Sequence, residues 1–212
     1  GGYLRERPLR HGTICRKGHY LLSPLTRGMS EGQGDFKQNL FMSQLCLSRP
    51  YSYPLKTNRD FRDTDPLSSV LSPLARSQSG SDFFLYQILL TSPPKNWTIP
   101  IVSTIQNGIL VDKEKGFRQA HPDKAIFETK IQFPGLLTQI NLLSNNLNLL
   151  NSMTSSFGIY TNPRGNLLKN SPPSLFSKNS LRKSIFNREF KSSLANQILN
   201  VEELSALWHF PT

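Results

Sequence analysis

The sequence predicts an α+β domain: a small, mostly antiparallel sheet covered by one long amphipathic helix, with an irregular N-terminal segment before it. Three patterns point there. Residues 83–90, 101–110 and 126–133 are short runs rich in apolar, aromatic and β-branched side chains, each bounded by turn formers. Residues 136–157 instead repeat apolar side chains every three or four positions, the spacing of one helical face. Residues 1–52 sustain no period, and Gly12, Gly18, Gly28, Gly32 and Gly34 with Pro8 and Pro24 break them up. The expected organisation is therefore an irregular basic segment over 1–52 and an α+β unit over 53–212.

Within that unit the first element is a helix opened by Asp65-Pro66. Asp suits the cap, and Pro suits the first helical position, where its missing N–H costs nothing. Leu67, Val70, Leu71 and Leu74 follow at helical spacing, and Pro73 removes a backbone donor, so the helix is short or kinked. Residues 77–81 read as a Ser/Gly turn. Residues 83–90, apolar except for Gln87, read as a strand buried on both faces. In 101–110, Asn107-Gly108 is a hairpin signal. Residues 126–133 alternate, with Phe127, Thr129, Ile131 and Phe133 on one face and Glu128, Lys130 and Gln132 on the other, as in a half-buried strand that Pro134-Gly135 ends.

Leu136, Ile140, Leu143, Leu147, Leu150, Met153 and Phe157 then make the stripe of the long helix, about six turns at 3.6 residues per turn, with Gly158 as its C-cap. Its many Asn residues are poor helix formers, so packing on the sheet has to hold it. Residues 160–180 read as a Pro/Asn/Ser loop, and a short helix is expected near 181–190. Asn200 caps a last helix over 201–208, Glu203 at its third position completes a capping box, and Pro211 ends it.

The 212 residues carry 25 Lys and Arg against 14 Asp and Glu, a formal net charge of +11. That sign favours anionic partners: nucleic acid, an acidic lipid surface or an acidic protein. One basic stretch lies in residues 1–50. A second runs from Arg164 through Lys169, Lys178, Arg182, Lys183 and Arg188 to Lys191, opposed only by Glu189. Phe176, Phe186 and Phe190 interleave it, either as stacking platforms for bases or as core anchors of a short helix. Arg182, Lys183, Arg188 and Lys191 are the candidate nucleic-acid contacts, with docking on an acidic neighbour the plainer alternative. No run of about 18 apolar residues occurs, so no transmembrane segment is expected. Cys15 and Cys46 cannot make a disulfide framework, which fits a cytoplasmic location, peripheral at most to the inner face of a membrane.

The sequence shows no familiar catalytic constellation. No phosphate loop of the form G-x-x-x-x-G-K-[ST] occurs, and Gly32-x-Gly34 begins like a dinucleotide fingerprint but meets Lys37 where the third glycine belongs. Neither G-x-S-x-G nor H-E-x-x-H is present. His11, Cys15 and His19, four residues apart, with Cys46 further on, are zinc-type ligands, yet Gly12 and Gly18 oppose the helix that would gather them. No metal site is expected. His121, beside Pro122, reads as part of an exposed turn, and His209 as a packing or capping residue. No carboxylate stands at a spacing that would orient either as a general base. The chain is expected to be no enzyme by itself and to need no cofactor.

Three segments deserve comparison with a known family. The first is Asp65-Pro66-Leu67, followed by Leu85-Tyr86-Gln87-Ile88-Leu89-Leu90 and Pro93-Pro94-Lys95-Asn96-Trp97. The second is Phe127-Glu128-Thr129-Lys130-Ile131, with the long helix after it and Asn162 beyond. The third is Ile198-Leu199-Asn200-Val201-Glu202-Glu203-Leu204-Ser205-Ala206-Leu207-Trp208-His209-Phe210-Pro211. In this order they resemble the accessory region that precedes the motor in conjugative type IV secretion-associated ATP-binding proteins, which are HerA/FtsK-like pumping ATPases. That region has a helix, an apolar strand with a central Gln and a Pro-to-Trp turn, then an alternating F-E-x-x-I strand, then the close E-E-L-A-x-L-W-H-F-P.

The resemblance covers roughly residues 53–212 and is most specific in its last segment. In the family the phosphate-binding motor lies downstream of the His-Phe-Pro, and this sequence stops one residue after Pro211, so ATP hydrolysis carries over to no residue here. What the resemblance implies is a non-catalytic accessory domain serving assembly. Its partners would be an ATPase motor domain or a secretion-machinery protein, with DNA and a second copy of the chain as further ones. Glu202, Glu203, Leu204, Leu207, Trp208 and His209 are the residues expected to dock, because a short capped helix with so heavy an apolar load suits a neighbouring surface. The rival from another class is a stand-alone basic nucleic-acid-binding protein. A remnant without function is the third reading.

Overall fold

In the computed structural model, which describes residues 40–61, 65–77, 81–112, 114, 116–174, 176–191 and 197–208, the sheet is organised around one ten-residue strand. In chain order the elements are β1 (Phe41–Leu47), α1 (Pro66–Ala75), β2 (Phe84–Thr91), α2 (Ile99–Asn107), β3 (Ile109–Asp112), β4 (Phe117–Gln119) and α3 (Lys124–Ile131). There follow β5 (Gly135–Ser144), α4 (Leu147–Ser156), β6 (Leu168–Ser171), α5 (Lys178–Asn187), β7 (Gln197–Asn200) and α6 (Val201–Leu207). The described residues form an α+β fold whose strand pairs are antiparallel.

The main sheet runs β2-β5-β1-β6, and β7 pairs with β5 beyond the end of β1. Alternation along β5 sends Ile140 and Leu142 to one face. There they join Leu45, Val70, Phe84, Leu150, Met153, Phe157, Leu199, Leu204 and Leu207 in the larger core, beneath α1, α4 and α6. Each such side chain taken from water contributes on the order of 1.5–3 kcal/mol before chain entropy is subtracted. On the opposite face Met42 and Leu143 meet Leu181 and Ile185 of α5. A separate two-stranded ribbon, β3–β4, carries a register shift between Leu110 and Asp112.

Local signals decide the ends that came out as expected. Asp65 caps α1 by accepting from the backbone N–H groups of Leu67 (2.9 Å) and Ser68 (3.2 Å), with Pro66 at the first position and Pro73 inside the helix. Asn200 and Glu203 form the capping box of α6. Residues 178–187 are helical, close to the short helix expected near 181–190.

Five expectations are corrected. Residues 136–157 are not one long helix: β5 takes the first part, and α4 starts after Asn146, whose side chain accepts from the N–H groups of Asn148 and Leu149. The strand is buried along nearly its whole length, so its apolar residues mimic a helical repeat while both of its faces are covered. Residues 126–133 are not a strand: α3 turns Phe127 and Lys130, three apart, inward together. Residues 101–110 are not a hairpin arm. Pro100 opens α2, and Gly108, at φ +56°, ends it, so Asn107-Gly108 is a helix terminus. Lastly, the segment expected to be irregular over 1–52 contains β1, an interior strand of the sheet, and the expected loop over 160–180 contains β6. Residues 1–39 lie outside the described residues.

Candidate functional site

The last strand and helix are held by a buried charged knot. Lys130 of α3 and Glu203 of α6 are both fully buried, with Lys130 Nζ donating to Glu203 Oε2 at 2.5 Å and to the Ile198 carbonyl at 2.9 Å. The other carboxylate oxygen of Glu203 accepts from Leu55 N–H (2.8 Å), and Oε2 also accepts from Asn200 N–H (2.7 Å). The Asn200 side chain accepts from Glu203 N–H and donates to the Lys130 carbonyl. Burial pushes the Lys130 ammonium below its usual value, and the Glu203 carboxylate beside it opposes part of that shift. With both ions paired and hydrogen-bonded to each other, the knot is an arrangement for holding α3, β7, α6 and the Leu55 loop together.

That geometry revises the expected docking residues. Glu203, Leu204 and Leu207 are buried in the domain's own core and offer nothing to an outside surface. Glu202 is half-buried and pairs with Arg59 at 3.5 Å, and Trp208 is half-buried. His209 lies outside the described residues. The heavy apolar load of the helix, which suggested a partner, is satisfied internally.

The basic stretch fares differently. On α5 the inward residues are Leu181, Ser184 and Ile185, which leaves Lys178, Arg182, Lys183 and Phe186 exposed on the outer side. The Arg182 guanidinium lies 5.8 Å from the centre of the Phe186 ring, within cation–π range. Arg188 closes the helix in a left-handed conformation at φ +54°, and Lys191 pairs with Glu189 at 2.6 Å. Arg182 and Lys183 thus share a surface with an aromatic ring, whereas Lys191 is engaged by a carboxylate. Phe176 is exposed and Phe190 half-buried, so of the interleaved aromatics only Phe186 stands among the cations of α5.

Two features were missed in the sequence. The first is a row of amides across the α5-facing side of the sheet. Register places Gln44 of β1, Asn141 of β5 and Gln87 of β2 side by side. Gln44 Nε2 donates to Asn141 Oδ1 (3.1 Å), and Asn141 Nδ2 donates to Gln87 Oε1 (2.9 Å). Gln139 adds bonds to Asn141 and to Ser184 of α5, and Gln87 Nε2 reaches the Ile185 carbonyl. The only sequence sign was the lone Gln in an apolar strand. The second is the β3–β4 ribbon, where Ile109 (40% exposed), Leu110 (45%), Val111 (55%) and Phe117 (59%) stand out, and the two strands pack chiefly on each other.

Among the described residues no group of three or more His, Cys, Asp or Glu side chains is placed to hold a metal ion. Cys46 sits half-buried on β1, where burial pushes its thiol up, away from the reactive thiolate. His11, Cys15 and His19 lie outside the described residues. His121 accepts at Nδ1 from Asp123 N–H at 3.1 Å, and its ring packs 4.9 Å from that of Phe127, a turn-stabilising role. No helix among the described residues is long and apolar enough to cross a membrane.

Compared with known proteins, the chain matches no family model, no curated protein and no solved structure. Phe127-Glu128-Thr129-Lys130-Ile131, which in sequence resembles the family's alternating strand, is helical here.

Proposed function

We propose that the chain is a non-catalytic accessory domain of a type IV secretion-like ATPase, of the kind used in conjugative DNA transfer, and that it works by making protein contacts. The observation that carries this reading is the β3–β4 ribbon. An isolated two-stranded ribbon is marginal in water, and four large apolar side chains exposed together on one are the mark of a surface meant to be covered. The resemblance of 198–211 to the family's handover segment supplies the kind of partner, a HerA/FtsK-like motor or another protein of the secretion machinery. The contact surface in this reading is the ribbon, because α6 is turned into the core.

The test is direct binding. The chain is titrated against a purified HerA/FtsK-like motor encoded in the same genome, by anisotropy of a dye-labelled chain, with Phe117→Asp and Val111→Asp as variants. Both substitutions sit on exposed positions, so circular dichroism should stay that of the parent while binding falls by at least tenfold. Absence of binding by the parent, or equal binding by both variants, would overturn the reading.

A second reading, a basic nucleic-acid-binding protein, is favoured by one observation. The exposed side of α5 carries Lys178, Arg182 and Lys183, with the Arg182 guanidinium 5.8 Å from the centre of the Phe186 ring and no acidic residue in the helix. Its affinity for single-stranded DNA would fall log-linearly with salt, with a slope set by the phosphates neutralised, and Arg182→Ala with Lys183→Ala would flatten that slope. Salt-independent or negligible binding would remove it.

A further inference from the structure

The two edges of the main sheet are treated very differently. The β6 edge is four residues long, carries Lys169 exposed to solvent, and runs straight into Pro172-Pro173. Those are the usual means of blunting an edge against another strand. The β2 edge is eight residues long and reads Phe-Leu-Tyr-Gln-Ile-Leu-Leu-Thr, without charge, proline or glycine. Its pairing with β5 runs through eight consecutive residues without a register shift, so no bulge twists the edge away. Among the described residues β2 pairs with no strand on its other side, and its backbone makes no further hydrogen bond there. Most of its side chains are only half-buried, as they are on a strand with one open flank.

We propose that this edge is a homodimer interface: β2 pairs antiparallel with β2 of a second copy about a two-fold axis at Gln87, joining two sheets into one. The choice of a second copy rests on self-complementarity. Under a two-fold at residue 87 every residue faces one of the same parity, so the faces of the two sheets coincide. Phe84 then lies opposite Leu90, and Tyr86 opposite Ile88, all on the larger-core face. Leu85 lies opposite Leu89 on the α5-facing side, and no charged side chain meets its like across the pair.

The amide row supplies the second argument. Gln44, Asn141 and Gln87 already form a hydrogen-bonded line across three strands that ends at the open edge. In the dimer Gln87 meets Gln87 of the second copy, and the line continues through the axis into the other sheet. Each Gln87 retains a free amide hydrogen and a free lone pair beyond the bonds it makes to Asn141 and Ile185, which is what an amide-to-amide pair needs. An unrelated apolar peptide could pair with the backbone but would not extend this row. The joined sheet would run β6-β1-β5-β2-β2-β5-β1-β6, within the size natural sheets reach. This interface goes beyond the assembly reading and does not depend on it: a motor could bind β3–β4 whether the chain is one copy or two.

The test is charge complementation at the axis. Sedimentation equilibrium of the wild-type chain should give twice the 24.0 kDa of one copy. Gln87→Lys and Gln87→Glu each place two like charges face to face, and each should shift to the single-copy mass. An equimolar mixture of the two should return to the doubled mass, because only the mixed pair joins opposite charges. A wild type that stays single up to about 0.2 mM, single variants that still pair, or a mixture that stays single would each overturn the proposal. Should either variant lose its fold, hydrogen–deuterium exchange on the wild type decides instead. Amides within Phe84–Thr91 should exchange at least tenfold more slowly as concentration crosses the dimer range, and concentration-independent exchange there would refute the interface.

Discussion

Replacing Lys130 with Met tests the account of the buried knot. At 2.5 Å and an effective dielectric near 20, the attraction between Lys130 and Glu203 is about 7 kcal/mol. Burying each ion costs several kcal/mol, so the intact pair is close to break-even. Lys130→Met upsets that balance: Glu203 keeps its bonds to Leu55 N–H and Asn200 N–H but loses the Lys130 ammonium, its one cation among the described residues, and the Ile198 carbonyl loses a donor. Breaking one side of such a pair costs about 3–5 kcal/mol. A domain of this kind has only ~5–15 kcal/mol in total, so at least a fifth of the stability should go. Urea unfolding followed by circular dichroism measures this, with the slope checked for constancy. Glu203→Gln should cost a similar amount, because it leaves the ammonium buried without a counter-ion. The double variant should cost at least ~2 kcal/mol less than the sum of the two singles, since it removes both charges together. A loss below about 1 kcal/mol for Lys130→Met, or strict additivity in the double variant, would refute the claim that a coupled ion pair ties α3 to α6.

Three further outcomes are expected from the buried polar side chains. Among the described residues the Tyr160 hydroxyl is buried without a hydrogen-bond partner, so Tyr160→Phe should leave the fold unchanged and raise its stability by about 1 kcal/mol in urea titration. Burial pushes both Tyr86 and Tyr160 well above the ordinary tyrosine value of 10.0. The unfolded chain therefore releases these protons first, so their contribution is intact below pH 10.0 and lost as pH rises beyond it; Tyr160→Phe should show a shallower alkaline loss than the parent. Asn166 is buried and bonds to Arg49 N–H, the carbonyls of Arg49, Pro50 and Tyr53, and Leu167 N–H, so Asn166→Ala should cost about 3 kcal/mol or more in thermal or urea unfolding.

What could be read from the linear chain were the features whose physics is local. Asp65-Pro66 and Asn200 with Glu203 complete their caps within three residues, so their identity alone announces a helix start. The apolar run with its central Gln announced β2, and the mixture of strand and helix signals announced the α+β class. The amphipathic stripe over 136–157 was real but belonged to two elements, because burial on two faces and burial along one helical stripe leave overlapping apolar patterns.

The remainder was decided by partners far away in sequence. Lys130 reads as a solvent-facing residue, and with Glu128 and Gln132 it completes the alternation of a strand. Only Glu203, 73 residues later, lets that ammonium go inside and lets α3 turn Phe127 and Lys130 inward together. Likewise Gln44, Asn141 and Gln87 look like ordinary polar positions until the register of three strands lines them up. The apolar side of α6 suggested an outside partner until folding set it against β7 and the larger core. A cap or a turn depends on atoms a few bonds apart, which the order of residues states outright. Whether a charge or an amide can leave water depends on what folding brings opposite it, and that is a property of the assembled structure alone.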